Sequence, residues 1–216
     1  MTYSFIKLQN IYKSYNGIEI IKDLSVNFDR GKSYGIMGYN GSGKSVLLKL
    51  IAGYAFADSG VITIDGKILK KDIDFIMNAG VITNSPEFMN SLSAIDNLRF
   101  LAEIRNIVSE KEIELFLKSL HLYEVRNKKV STFSMGMKQR LRLVQALMES
   151  PDILILDEPM NALDKEGVSL VKSILKQYCD KGNTLIFSSH IKDDFIDLAD
   201  VCYELENGNL KSVMIE

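Results

Sequence analysis

The sequence predicts an α/β fold in which a block of helices interrupts alternating strands and helices, and three observations carry that prediction. The first stretch, Thr2 to about Gly66, is rich in short strand-like runs. From about Ser85 to Ser150 the apolar residues recur at helical spacing instead. From Pro151 onward, strands and amphipathic helices alternate again, so residues 85–150 read as an insertion into one domain spanning 1–216. The core of that domain is then 1–84 together with 151–216.

Glu19 to Phe28, Ser33 to Met37 and Val61 to Asp65 supply the early strands. Gly43 to Ala52 reads as a helix, closed by Gly53, which takes a left-handed C-cap conformation at no steric cost. In the helical block, Ser93 with Asp96 marks a helix start, and Ser109 with Glu112 fits a capping box. Ile95, Leu98 and Leu101, then Ile113, Phe116, Leu117 and Leu120, follow at the spacing that gathers them on one helical face. Ile153 to Leu156 is apolar throughout, as expected of a strand covered on both sides. Val168, Val171, Ile174, Leu175 and Tyr178 mark the next helix, stopped near Gly182, and Thr184 to Ser188 is another buried strand. Asn207-Gly208 between two short strand-like runs signals a hairpin.

Of the 216 residues 46% are hydrophobic, which is enough for a sizeable core. Lys and Arg total 26 against 28 Asp and Glu, a net charge of -2, so no basic excess favours nucleic acid or anionic lipid. No apolar stretch approaches the roughly 20 residues that span a bilayer, and any membrane task would pass through a partner chain. Met1 to Gln9 alternates polar and apolar residues, unlike a secretory signal. Cys179 and Cys202 lack metal or redox spacing and read as buried thiols.

Chemistry enters with Gly38-Tyr39-Asn40-Gly41-Ser42-Gly43-Lys44-Ser45, which fits GxxxxGK[ST] between an apolar strand and an apolar helix. The glycines let backbone N–H groups close on phosphate oxygens, and the helix start, including Val46, adds the positive end of its dipole. Lys44 would reach the β- and γ-phosphates, and the Ser45 hydroxyl would ligate Mg2+. The partner motif is Ile153 to Leu156 followed by Asp157 and Glu158, two carboxylates at a strand's C-terminal end. Asp157 would hold Mg2+ through water, and Glu158 would polarise an attacking water.

Those two motifs fit many nucleotide-hydrolysing proteins. The segment between them, Phe133-Ser134-Met135-Gly136-Met137-Lys138-Gln139-Arg140, resembles the signature motif of ABC ATPases, which usually reads LSGGQ. Asn161-Ala162-Leu163-Asp164 is similar to the family's D-loop, and His190 after Ser188-Ser189 to its switch histidine. Tyr15, before Asn16-Gly17, matches the aromatic that stacks on adenine, with Tyr12 as the fallback.

The resemblance covers essentially the whole chain. It implies a P-loop NTPase core with an antiparallel β subdomain and an inserted helical subdomain, and a nucleotide-binding subunit that uses ATP and Mg2+. It implies that Ser134 and Gly136 serve the nucleotide bound by a second copy of the chain or a homologous ATPase subunit. It also implies separate membrane-spanning subunits as partners and a place at the cytoplasmic face of the membrane. The form Tyr/Phe-Ser-x-Gly-Met-Lys-Gln-Arg looks most like exporters of peptide antibiotics, lantibiotics and similar cargo.

Two departures stand out. Asn84 replaces the Gln that usually senses Mg2+ and nucleotide, which shortens the amide by one methylene. Met135 replaces the first glycine of the signature. A second reading, a soluble ABC protein of translation or DNA repair, would call for two cassettes, a long coiled coil or a basic surface. This chain has one cassette, no sustained heptads and balanced charge. A silent binding subunit is a third reading, and Lys44, Asp157, Glu158 and His190 argue against it.

Overall fold

The computed structural model of the chain describes residues 4–83, 88–196 and 198–214. Strands β1 (Ile6–Tyr15), β2 (Ile18–Phe28) and β3 (Ser33–Met37) lead into helix α1 (Lys44–Ala52). Strands β4 (Ser59–Ile64), β5 (Lys67–Ile68) and β6 (Ala79–Ile82) follow, then helices α2 (Ala94–Arg105), α3 (Glu110–Ser119) and α4 (Met135–Leu147). The described chain ends with β7 (Ile153–Asp157), α5 (Lys165–Asp180), β8 (Thr184–Ser189) and the hairpin β9 (Val201–Glu206) and β10 (Asn209–Val213).

The α/β class is as expected, and the strands divide between two sheets. One is antiparallel in the order β2-β1-β4-β5. The other runs β10-β9-β3-β8-β7-β6 and is parallel except for its edge strand β10. Strand β7, flanked by β8 and the edge strand β6, explains the arrangement. Its Ile153 and Ile155 pack with Leu47, Leu48 and Ile51 of α1 and with Ile6, Leu8 and Ile11 of β1. Its Leu154 and Leu156 pack on the opposite side with α4 and α5 residues such as Leu143, Val144, Val171 and Leu175. Period-two alternation therefore puts half of an unbroken apolar run on each face, and each buried side chain contributes about 1.5–3 kcal/mol.

Local signals hold where the side chains themselves form the bonds. Ser93 accepts the Asp96 N–H, and Ser109 with Glu112 makes both bonds of the capping box. Gly53 closes α1 in the left-handed region at φ 81°. The strand expected from Val61 begins earlier, at Ser59, because Ser59 pairs with Tyr12 of β1 despite carrying no apolar side chain. The thiols need one correction: Cys202 is buried, but Cys179, in the last turn of α5, is only half-buried. Desolvation still pushes the Cys179 thiol up to about 12 and raises that of Cys202, so neither is a thiolate at neutral pH.

Close approach of α4 to the parallel sheet depends on Gly80 in β6. A Cβ there would overlap the Ala146 carbonyl of α4 and crowd the Leu154 side chain of β7. Backbone cannot yield as a flexible side chain would, so Gly80→Ala should destabilise the fold by about 1–3 kcal/mol, read as a lower urea midpoint with unchanged slope.

Candidate nucleotide site

Parallel pairing brings the C-terminal ends of three strands side by side. Met37 of β3 stands opposite Ser189 of β8, and Asp157 of β7 stands opposite Ser188 of β8. The loops that leave these ends carry Lys44, Glu158 and His190, and all three reach one open cleft of about 630 Å³. That size lies within the range of small-molecule sites.

The phosphate loop is built by backbone. Gly43 caps α1 at φ 105°, and no side chain caps the helix, so its opening N–H groups face the cleft without a side-chain acceptor. No acidic residue occupies the first turn. Lys44 is almost fully buried, and its Nζ donates to the carbonyls of Gly38 at 2.7 Å and Tyr39 at 3.2 Å. The third partner of this ammonium is Oε1 of Glu158 at 3.4 Å. A buried cation held this way is satisfied yet exchangeable, since phosphate oxygens can replace the carboxylate.

Glu158 is the hub. Its Oε2 lies 2.9 Å from Nδ1 of His190, within hydrogen-bond distance of that ring nitrogen. The backbone of Glu158 sits in the left-handed region at φ 49°, an uncommon state for a residue with a side chain. Two side chains hold it there. The Glu158 N–H donates to Ser188 Oγ at 3.1 Å, and Gln139 of α4 donates to the carbonyls of Glu158 at 3.3 Å and Pro159 at 3.1 Å.

Asp157 accepts the Ser188 hydroxyl on Oδ1 at 2.6 Å, whereas its Oδ2 is buried with no hydrogen-bond partner. An orphaned carboxylate oxygen in the cleft that the half-buried Ser45 also lines suits a hard divalent cation such as Mg2+. Among the described residues no cluster of three or more His, Cys, Asp or Glu forms a dedicated metal cage. An ion at this point would complete its shell with phosphate and water oxygens.

The expected residues separate into groups. Asn40, Gly41, Gly43, Lys44, Ser45 and Val46 line the cleft, as do Asp157, Glu158 and His190. Tyr15, at the end of β1, stands half-exposed at its rim with the Lys13 ammonium 4.9 Å from its ring centroid. Tyr12 is not part of the lining. Gly38 and Ser42 lie beneath it: Gly38 offers its carbonyl to Lys44, and the Ser42 N–H bonds the Tyr39 carbonyl.

Ser134, Gly136 and Asp164 lie outside the lining of this cleft. Ser134 caps α4, accepting the Met137 N–H at 3.2 Å, and faces solvent beside Met135, itself 75% exposed. A Cβ on Gly136 would stand 2.9 Å from the Ala162 carbonyl, so this glycine lets α4 pack on the loop after β7 in its own chain. The Asp164 carboxylate caps α5 through the Gly167 N–H at 2.8 Å. Asn84 lies outside the described residues.

Sequence reading passed over Ile20 as part of the wall and Ser188 and Gln139 as supports. A polar residue ending a buried strand was the available signal for Ser188. Nothing in the spacing of Gln139 points across to Pro159.

The ABC transporter family profile matches residues 21–161. An ABC transporter ATP-binding protein of Bacillus subtilis is 40% identical over 96% of this chain and 95% of its own length. A lantibiotic transport ATP-binding protein of Streptococcus pyogenes is 36% identical over 95% of this chain and 88% of its own. Among solved structures, a bacterial ABC transporter cassette in dimeric form superposes with a TM-score of 0.87, covering 98% of this chain and 99% of that one at 24% identity.

Lys44→Ala removes the buried cation from the loop and leaves Oε1 of Glu158 without its partner. Affinity for a fluorescent ATP analogue should fall at least tenfold, while the far-ultraviolet circular dichroism spectrum stays unchanged. Unaltered affinity would mean that phosphate binds elsewhere.

Proposed function

The chain belongs to the ABC transporter family of ATP-binding proteins, and from that premise we propose that two such cassettes close on ATP to drive a peptide- or antibiotic-exporting membrane complex. One observation carries the reading: a single carboxylate, Glu158, is held between the phosphate-loop cation Lys44 and the strand-end His190. An incoming triphosphate competes for both partners and leaves Glu158 free to orient water.

In this reading Tyr15 stacks on the base, and the N–H groups from Gly41 to Val46 surround the phosphates. Gly38 and Ser42 shape the loop from below. Lys44 moves from Glu158 to the β- and γ-phosphates, and His190 turns toward the γ-phosphate. Glu158 accepts a hydrogen bond from the attacking water, which displaces ADP in line without a covalent intermediate. Asp157 and Ser45 would hold Mg2+, which when bound would supply positive charge that offsets charge on the phosphate oxygens. Asn84 is assigned the amide that reports the nucleotide to the membrane partner, acting through water because its side chain is short.

Ser134 and Gly136 open α4 toward the nucleotide of the opposing subunit, and Asp164 keeps the adjoining loop in place through its cap on α5. The exposure of Ser134 supports this, since its own cleft does not use it. The domain divides into a nucleotide-binding core with its β subdomain, 1–84 and 151–216, and a helical subdomain, 85–150, which passes motion to separate membrane-spanning subunits. No helix among the described residues is long and apolar enough to cross a membrane. Attachment is assigned to those partners, at the cytoplasmic face, on the family resemblance. The balanced charge favours no nucleic-acid partner. The lantibiotic-transport relative supports a peptide antibiotic as cargo.

Glu158→Gln keeps the shape but cannot polarise water comparably, so turnover should drop by roughly 100-fold or more while ATP still binds. An ATP-dependent dimer should then persist on size exclusion. Normal turnover would remove Glu158 from the role. Ser134→Arg places bulk and charge at the start of α4. Monomers should still bind ATP, yet dimerisation and hydrolysis should be lost. Loss of monomer binding instead would place Ser134 in its own chain's site and contradict the shared arrangement.

A further inference from the structure

Ser188 is the penultimate residue of β8 and fully buried, directly after the apolar run Leu185, Ile186, Phe187. An aliphatic residue would satisfy the packing there, and a buried hydroxyl needs partners to avoid a desolvation cost. Both of its partners belong to the acidic pair. A hydroxyl has one proton and two lone pairs. The proton goes to Asp157 Oδ1 at 2.6 Å, and a lone pair takes the Glu158 N–H at 3.1 Å. Ser189, next in the strand, works on different groups: it donates to Asp194 and accepts the Ile191 N–H, bracing the turn after His190.

The first bond has a consequence for Asp157. With Oδ1 engaged, rotation of the carboxylate would break a short buried bond, so Oδ2 stays the oxygen left unpaired. The second bond helps hold Glu158 in its left-handed conformation, which aims the side chain between Lys44 and His190. One hydroxyl thus orients the metal-facing carboxylate and the water-orienting residue together.

We propose that Ser188 is a positioning residue for ATP hydrolysis, whose hydroxyl selects the Asp157 oxygen presented to Mg2+ and fixes the backbone of Glu158. This rests on the assignment of Asp157 to Mg2+ above.

The test uses the full chain as wild type, Ser188→Ala, Ser188→Thr and Asp157→Asn, with a fluorescent ATP analogue titrated in EDTA and at rising Mg2+. In EDTA the Ser188 variants should bind nucleotide as wild type does, because the phosphate loop is untouched; this also certifies their folding. With nucleotide present, Ser188→Ala should raise the half-saturating Mg2+ concentration by about tenfold, the size of effect typical when a support of a metal ligand is removed. Its kcat should fall more than its KM for ATP changes. Ser188→Thr, which keeps the hydroxyl, should restore both. A lower melting temperature with an unchanged Mg2+ midpoint would reduce Ser188 to a packing residue and overturn the inference. If Asp157→Asn also leaves the Mg2+ midpoint unmoved, the assignment of Asp157 fails, and the inference falls with it. If Asp157→Asn shifts the midpoint and Ser188→Ala does not, the inference alone is wrong.

Discussion

The register of β7 against β8 is the constraint on which the site depends. Asp157 stands opposite Ser188, and β3 ends level with both because Met37 pairs with Ser189. Side chains alternate along each strand, so a slip of one residue would turn Asp157 into the core and bring Leu156 to the cleft. Burial prevents that slip. Ile153, Leu154, Ile155 and Leu156 are all fully buried, two on each side of the sheet, and a one-residue slip would exchange the two layers of core. The apolar packing that stabilises the sheet is therefore the same packing that aligns the chemistry.

That alignment allows charges to be buried in balance. Lys44 has two carbonyls and a carboxylate for its three protons, and Glu158 has Lys44 on one oxygen and His190 on the other. A buried ion pair is weak evidence for stability, because desolvation offsets much of the attraction. Its value here is exchangeability. Glu158 adopts a left-handed backbone that a side chain disfavours, and Ser188 and Gln139 sustain it from either side. Strain maintained by surrounding bonds at the centre of a cleft is the pattern of a site whose partners change when ligand arrives.

The strands at Glu19–Phe28, Ser33–Met37, Ile153–Leu156 and Thr184–Ser188 and the helix caps were legible in the sequence because each rests on local rules, whereas β1, β5 and β6 were not. Gly53, Ser93 and the Ser109–Glu112 box all act within a few residues of themselves. The phosphate loop was legible for the same reason, being one short segment between a strand and a helix. What was not legible involves long-range register. Ser188 matters only because β7 lies beside β8, and Gln139 matters only because α4 packs over the turn after Glu158. Gly136 shows the same limit from another side. Its motif pointed to phosphate, whereas the structure adds a steric demand from the Ala162 carbonyl in the same chain. Cys179 is only half-buried because it stands one position off the face of α5 that Val171, Leu175 and Tyr178 bury.

The helix ends give an independent argument for a site completed by two subunits. A helix N-terminus carries partial positive charge, and chains commonly answer it with acidic residues in the first turn. Here α2 has Asp96, α3 has Glu110 and Glu112, and α5 has Glu166 beside its Asp164 cap. Helices α1 and α4 have none. For α1 the reason lies in the cleft, where its opening N–H groups stand ready for phosphate. The N-terminus of α4 is equally uncompensated, yet it opens to solvent at Ser134 and Met135, away from the cleft of its own chain. In the dimer proposed above, one polyphosphate would lie between two such uncompensated helix ends, α1 from one copy and α4 from the other. The charge pattern thus favours the shared arrangement on grounds separate from any motif.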